Sequence, residues 1–260
     1  MGSRNDSKGI SDTSATELYL DLLIRVLTNM IYGDPSTNPE NTGPFQPELR
    51  WEGRDWPEVA HTMIGVRRLE NVRELLRRVI DEAIPGNLVE AGVWRGGCCI
   101  LMRGILAANA IKDRKVYAVD SFEGLPPPKP DLFPRDEGLN LHLYAELAVS
   151  LEQVKDNFTR YGLLDEQVVF VKGLFQETLP SLDAGPFALI RLDGDLYEST
   201  YVALEALYPK LSLGGFIILD DYKLLSSVRA AVLDYRSRMG IESEMHDIDW
   251  SAVWWQKEEL

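Results

Sequence analysis

From residue 87 onward, short apolar runs alternate with helical stretches, and this alternation limits the possible folds more tightly than any other feature of the chain. "NLVEAGVW" has the texture of a strand, "CCILMRGILAANAI" of a helix and "KVYAVDSF" of a strand again. After a long loop, "ELAVSLEQVKDNFTRYG" is helical and "QVVFVKG" extended, and a short helix then precedes the strand "FALIRLD". "YESTYVALEALYPKLS" sets Tyr201, Leu204, Tyr208 and Leu211 on one helical face, "GGFIILDDY" is a strand and "LLSSVRAAVLDYRSRMG" a helix. The tail "EMHDIDWSAVWWQKE" suggests two last strands. Strands with helices on both sides are apolar along their length instead of alternating. Five such β-then-α units therefore predict a mostly parallel sheet covered on both faces. In open sheets of this kind, ligands bind beyond the carboxyl ends of the strands. Here those ends are "EAGVWRGG", "DSFEGLP", "KGLFQE", "DGD" and "DDY", all polar or glycine-rich, so function is expected along that edge.

Upstream, Ser14 and Glu17 have capping-box spacing before the amphipathic "LYLDLLIRVLTNMIYG", which carries Asp21 and Arg25 and is too short to span a bilayer. "GDPSTNPENTGPFQPE" (33–48) reads as a loop, and a second helix runs through residues 63–84 with Val66, Leu69, Val72, Leu75 and Leu76 at helical spacing. Residues 1–13 read as a disordered polar lead without a secretion signal, 14–84 as a helical extension capping the substrate, and 85–260 as the main domain. With 27 basic against 41 acidic residues the net charge is −14, a surface that repels phosphate backbones and anionic lipid. Neither nucleic acid nor membrane is an expected partner. The two cysteines, Cys98 and Cys99, are adjacent and cannot form an ordinary structural staple, which fits a reducing cytoplasm. His61, His142 and His246 lie far apart and have no zinc-site spacing.

At the first strand end, Gly92, Gly96 and Gly97 allow a tight turn and close approach of a ligand to helix N-terminal N–H groups. Trp94 stands where a dinucleotide fingerprint needs its second glycine, and no G-K-[ST] follows. Glu90 at the entry would repel a pyrophosphate and attract a cation. S-adenosylmethionine (SAM), with a sulfonium, an ammonium and no phosphate, satisfies these conditions. Asp120, ending the second strand, suits a ribose diol; alternatively it is a solvated strand-end acid.

Asp193 ends one strand, and Asp220 with Asp221 ends the next. If the two strands are neighbours, three carboxylates converge, and two unit charges 4 Å apart repel by roughly 4 kcal/mol at an effective dielectric of 20. Hard oxygen donors with no histidine or cysteine nearby select Mg2+ ahead of Ca2+ or Mn2+. A plain acidic rim is the competing reading. Gly194 lets the chain turn so that Asp195 faces the same spot as a base for a hydroxyl proton; the competing reading makes Asp195 the N-cap of the next helix.

These segments, together with "LTNMIYGDP" (27–35), closely resemble the macrocin O-methyltransferase family over roughly residues 17–258. The family's members are SAM- and Mg2+-dependent enzymes that methylate sugar hydroxyls on antibiotics such as macrolides and aminocoumarins. The resemblance implies a Rossmann-like SAM-dependent methyltransferase fold with a seven-stranded sheet, an antiparallel last strand and a helical N-terminal extension. It implies Asp193, Asp220 and Asp221 as metal ligands and Asp195 as general base. It also implies cofactor contacts from Glu90, Gly92, Asp120 and Ser121, from Gly173, Phe175 and Gln176, and from Thr62 and Met63 in "HTMIG". A homo-oligomer, at least a dimer, is expected on the same ground.

The loop 123–144 contains five prolines, and Leu132, Phe133, Leu139, Leu141 and Leu143 give it apolar content that suits a lid. His142 is a rival base or a structural polar residue. Tyr32 and Met30 either reach the substrate or pack in the core, and Trp250, Trp254 and Trp255 fit a core or a dimer interface. A phenolic or catechol acceptor competes with a sugar. An aspartyl-phosphate phosphohydrolase would need its D-x-D after the first strand, with Thr or Val following, whereas Leu196 and Tyr197 follow here. A nucleotide-sugar or NAD enzyme is opposed by the missing glycine, and a non-catalytic SAM or metal sensor is disfavoured by so many strand-end carboxylates.

Overall fold

A computed structural model describes residues 14–39 and 41–258; the polar lead expected over residues 1–13 lies outside them. Seven strands form one sheet: β1 (Asn87–Ala91), β2 (Val116–Asp120), β3 (Val168–Lys172), β4 (Phe187–Leu192), β5 (Leu211–Leu219), β6 (His246–Asp247) and β7 (Val253–Gln256). Their order is β3-β2-β1-β4-β5-β7-β6. The first five run parallel, β7 is antiparallel to β5, and β6 is antiparallel to β7. Strand order reverses between β1 and β4, so a crevice opens at their carboxyl ends.

Side chains alternate across the sheet, and each face is buried by its own set of helices. Leu88, Val116, Leu189 and Phe216 pack toward α1 (Ala15–Leu27), α3 (Gly65–Asp81), α4 (Gly97–Ala108) and α5 (Leu151–Arg160). Val89, Val119, Ile190 and Ile217 pack on the other side toward α7 (Tyr197–Leu207) and α8 (Ser226–Met239). The expected cap of α1 is present, with the Glu17 N–H donating to Ser14 Oγ at 3.2 Å. The Glu17 carboxylate does not close the box; it pairs with Arg73 of α3.

The differences from the sequence expectations are local. A six-residue helix, α2 (Pro47–Glu52), starts on the last two residues of the expected loop and runs four beyond it, entered by a proline and ended by Gly53 in the left-handed region (φ 64°). Leu211 does not extend the α7 face but opens β5, after a 3-10 turn at Tyr208–Lys210. α5 begins five residues later than the start of its helical pattern, where Ser150 accepts from the Gln153 N–H at 3.2 Å; a 3-10 turn at Ala145–Leu147 and three irregular residues precede it. Among the described residues no helix is long and apolar enough to cross a membrane.

Candidate active site

The strand ladders carry their register into the site. Beyond β1, the Asp193 N–H donates to the Ala91 carbonyl at 2.8 Å, and beyond β4 the Asp220 N–H donates to the Leu192 carbonyl at 3.0 Å. The ends of β1, β4 and β5 are thus neighbours, as convergence of the carboxylates requires. Gly92 turns away from β1 with φ +93°, and a Cβ there would sit 1.8 Å from the Asp193 carbonyl oxygen. Only glycine allows the first strand end to lie this close to the fourth.

These ends open into a cavity of about 240 Å3. Of the expected cofactor residues, Thr62, Met63, Glu90, Gly92, Asp120, Ser121, Phe175 and Gln176 line it. Gly173 does not line it; it sits at the turn after β3 with φ +145° and donates its N–H to the Asp120 carbonyl at 2.9 Å. Asp120 accepts from the Val93 N–H at 2.7 Å through one oxygen and from the Phe122 N–H at 2.8 Å through the other. That pins its carboxylate while leaving lone pairs for a diol. Ser121 Oγ closes its own turn on the Gly124 carbonyl at 2.6 Å.

Asp193, Asp195, Asp220 and Asp221 line the same cavity, but they are not equivalent. One ligand atom each from Asp193, Asp195 and Asp221 lies within 4.8 Å of the others. Asp220 is held instead by two buried guanidinium groups. Arg191 of β4 pairs with it and also donates to Glu90 at 2.7 Å and to Asp193 at 3.1 Å. Arg68 of α3 donates to Asp220 at 2.6 Å and to Asp249 at 2.7 Å. The structure therefore assembles an acidic trio that includes the expected base, with one expected ligand bound to arginine. Asp195 is not an N-cap: α7 starts from Leu196, and the Tyr197 and Glu198 N–H groups donate to Asp136 at 2.6 and 3.2 Å.

Glu90 is fully buried and shared between Arg191 and the Cys99 thiol, at 2.9 Å from the sulfur, so it is no free carboxylate at the entry. Burial holds its carboxyl above the ordinary range, with Arg191 opposing the shift. Burial, reinforced by the charge of Asp193, raises Asp195 to about 7. Burial and the Asp220 charge raise Asp193, while burial and the Asp195 charge raise Asp221 well above its usual value. Around this point stand Glu90, Asp193, Asp195, Asp220, Asp221 and Asp249, against Arg68 and Arg191 as the only close cations among the described residues. A crowded oxygen-only trio with an unmet demand for positive charge has the chemistry of a hard divalent cation site.

The other candidates separate clearly. His142 and Tyr32 do not line the cavity, and Tyr32 is 91% exposed. Met30 packs against the core, and Trp255 is buried in it. Trp254 stacks on His246. Trp250, expected in a core or an interface, lines the cavity, with its ring under Arg54 and its indole N–H on the Glu52 carbonyl at 2.7 Å. Leu141 and Leu147, of the segment after β2, line it as well. Arg68, Arg191, Asp136 and Trp250 were absent from the expected set. Only Arg191 carried a signal, a lone charge inside the apolar run "FALIRL".

A switch-point crevice with a glycine turn after β1, an acid after β2, and a reversed β7 defines a SAM-dependent methyltransferase. The model of the macrocin O-methyltransferase family matches residues 16–257, and the chain belongs to that family. It is 49% identical over 249 residues to demethyldecarbamoylnovobiocin O-methyltransferase of Streptomyces niveus, covering 94% of this chain and 95% of that protein. It is 50% identical over 244 residues to 8-demethyl-8-(2,3-dimethoxy-alpha-L-rhamnosyl)-tetracenomycin-C 4'-O-methyltransferase of Streptomyces olivaceus, covering 93% of each. The solved structure of the O-methyltransferase NovP superposes with a TM-score of 0.91 at 48% identity, covering 94% of this chain and all of that one. The protein is an O-methyltransferase, and the phosphohydrolase alternative falls, since its D-x-D closes β4.

Proposed function

We propose that the protein transfers a methyl group from SAM, with Mg2+, to a sugar hydroxyl of a glycosylated natural product of the aminocoumarin or macrolide kind. The observation that carries this reading is the trio Asp193, Asp195 and Asp221, facing one cavity with Glu90, Gly92 and Asp120. When bound, SAM supplies an electrophilic methyl on its sulfonium, and Mg2+ supplies Lewis acidity that lowers the pKa of the acceptor hydroxyl. Asp193 and Asp221 hold the ion, and Asp220 joins them through lone pairs not used by Arg68 and Arg191. Asp195 then remains to accept the hydroxyl proton, and a carboxyl raised to about 7 is matched to that task near neutrality. Asp120, Phe175, Gln176, Thr62 and Met63 line the same cavity and would hold the cofactor, Asp120 at the ribose and Phe175 with Gln176 around the adenine. Leu141, Leu147, Trp56 and Trp250 exclude water around the acceptor.

The Streptomyces olivaceus relative is named as a 4'-O-methyltransferase of a rhamnosyl-tetracenomycin, which supports a sugar ahead of a phenol or catechol. In the same reading residues 14–84 and the loop 123–144 set the acceptor choice, and the enzyme works in the cytoplasm as a homo-oligomer. The buried free thiols of Cys98 and Cys99 support the compartment, and the exposed apolar stripe Leu18, Leu22 and Val26 on α1 supports the oligomer. The test is turnover of purified protein with SAM, in Mg2+ and in EDTA, on demethyldecarbamoylnovobiocin and on a rhamnosylated tetracenomycin. Mass spectrometry should locate one added methyl on the sugar, and only with Mg2+. A methyl on the aglycone would replace the sugar by the phenolic acceptor, and undiminished rates in EDTA would remove the metal.

A further inference from the structure

We propose that Asp136 is a positioning residue that couples the seating of the loop between β2 and α5 to the geometry of the Asp193–Asp195 turn. A helix start leaves its first N–H groups without intrahelical partners, and α7 has no side-chain cap of its own. Asp136, only 1% exposed, fills that role from another part of the chain, accepting from Tyr197 and Glu198. A carboxylate also suits the positive end of the helix dipole. The same loop is fastened by Lys129 Nζ to Glu198 at 2.8 Å and by the Phe133 ring beside Tyr197. Farther along, its Glu146 carbonyl accepts from the Trp94 indole at 2.9 Å.

The capped N–H groups lie two and three residues beyond Asp195, which stands at φ +57°, a region that residues with side chains rarely adopt. Such a conformation persists only where its surroundings over-determine it. On one side Leu196 donates to the Gly194 carbonyl at 2.6 Å, and on the other the first turn of α7 is fixed by Asp136. Leu141 and Leu147 line the cavity from the same loop. Seating the loop therefore does two things at once: it walls the cavity and locks the turn that carries Asp193 and Asp195. The consequence for turnover rests on the proposed role of Asp195; the mechanical coupling does not.

Amide hydrogen exchange on the full chain, with and without S-adenosylhomocysteine (SAH), tests the coupling without any acceptor. In Asp136→Ala, exchange should rise roughly five- to thirty-fold at the start of α7 and, together with it, in the loop from Lys129 to Leu147. Asp136→Asn, which keeps one acceptor oxygen, should fall between that variant and the wild type. Trp94→Phe frees the loop at Glu146 without touching α7 or its cap, so the α7 start should open there too, and this variant serves if Asp136→Ala does not fold. In turnover, Asp136→Ala should lose kcat more than tenfold with the KM for SAM within about twofold. Faster exchange confined to α7 with the loop still protected, or no change in either, would reduce Asp136 to an ordinary cap and overturn the coupling. An absence of methyl transfer with the exchange result intact would fault the proposed function alone.

Discussion

Replacing Arg191 by Met removes the only guanidinium among the described residues that pairs with Glu90 and Asp193, while Arg68 still serves Asp220. Arg191 is 1% exposed, so water cannot take its place. Breaking a buried ion pair by deleting one partner costs about 3–5 kcal/mol, since the other charge is left uncompensated. The variant has one escape, protonation of the stranded carboxyl. At about 1.4 kcal/mol per pH unit and an ordinary carboxyl value near 4, that costs about 5.6 kcal/mol at pH 8 and about 1.4 kcal/mol at pH 5. The expected loss is therefore about 3–5 kcal/mol at pH 8, shrinking to about 1.4 kcal/mol at pH 5. An unfolding entropy of about 2.1 cal/mol/K per residue gives roughly 0.55 kcal/mol/K for 260 residues. The melting temperature should then drop by about 5–9 °C at pH 8 and about 2.5 °C at pH 5, read by calorimetry in EDTA. An equal loss at both pH values, or one below about 1 kcal/mol at pH 8, would refute the view that Arg191 holds the carboxylates by charge.

The remaining predictions address chemistry, pH, shape and assembly. Asp195→Asn should bind SAH normally in calorimetry while kcat falls about 100-fold or more, and a near-normal rate would remove Asp195 as base. Because the folded Asp195 carboxyl sits at about 7, above its unfolded value, the native state holds extra protons between about pH 4 and 7. Its stabilising contribution is complete below about pH 4 and is lost as pH rises through about 7. Metal-free melting temperatures should fall across that window, and Mg2+ should raise them more at pH 8 than at pH 5. Gly92→Ala drives a Cβ into the Asp193 carbonyl and should weaken SAH binding at least tenfold; unchanged affinity would place the cofactor elsewhere. Leu22→Glu should shift the light-scattering mass to that of a monomer, and an unaltered oligomer would clear α1 as the contact.

Much of this protein is legible in its sequence. The strand–helix alternation, the order of polar strand ends and the glycine turn are local signals, since period and strand-end composition report burial directly. They suffice to bring Glu90, Gly92, Asp120, Asp193 and the Asp220–Asp221 pair to one edge of a sheet. The pattern was blind to α2, whose proline entry and glycine exit resemble loop residues, and it ran α7 on into β5 because Leu211 fits both periods.

What the tertiary structure alone decided is which charge meets which. Arg68 reaches Asp220 across 152 positions of sequence, Arg191 reaches Glu90 across 101, and Asp136 caps a helix that starts 61 residues later. Those partnerships turn a row of acids into a trio with an arginine-bound neighbour, make Glu90 a buried pair member, and bring Trp250 to the cavity wall. A chain encodes burial in its local pattern, but a buried charge or an orphaned N–H takes whatever complementary group the packing delivers. That choice is made only when distant segments are desolvated together.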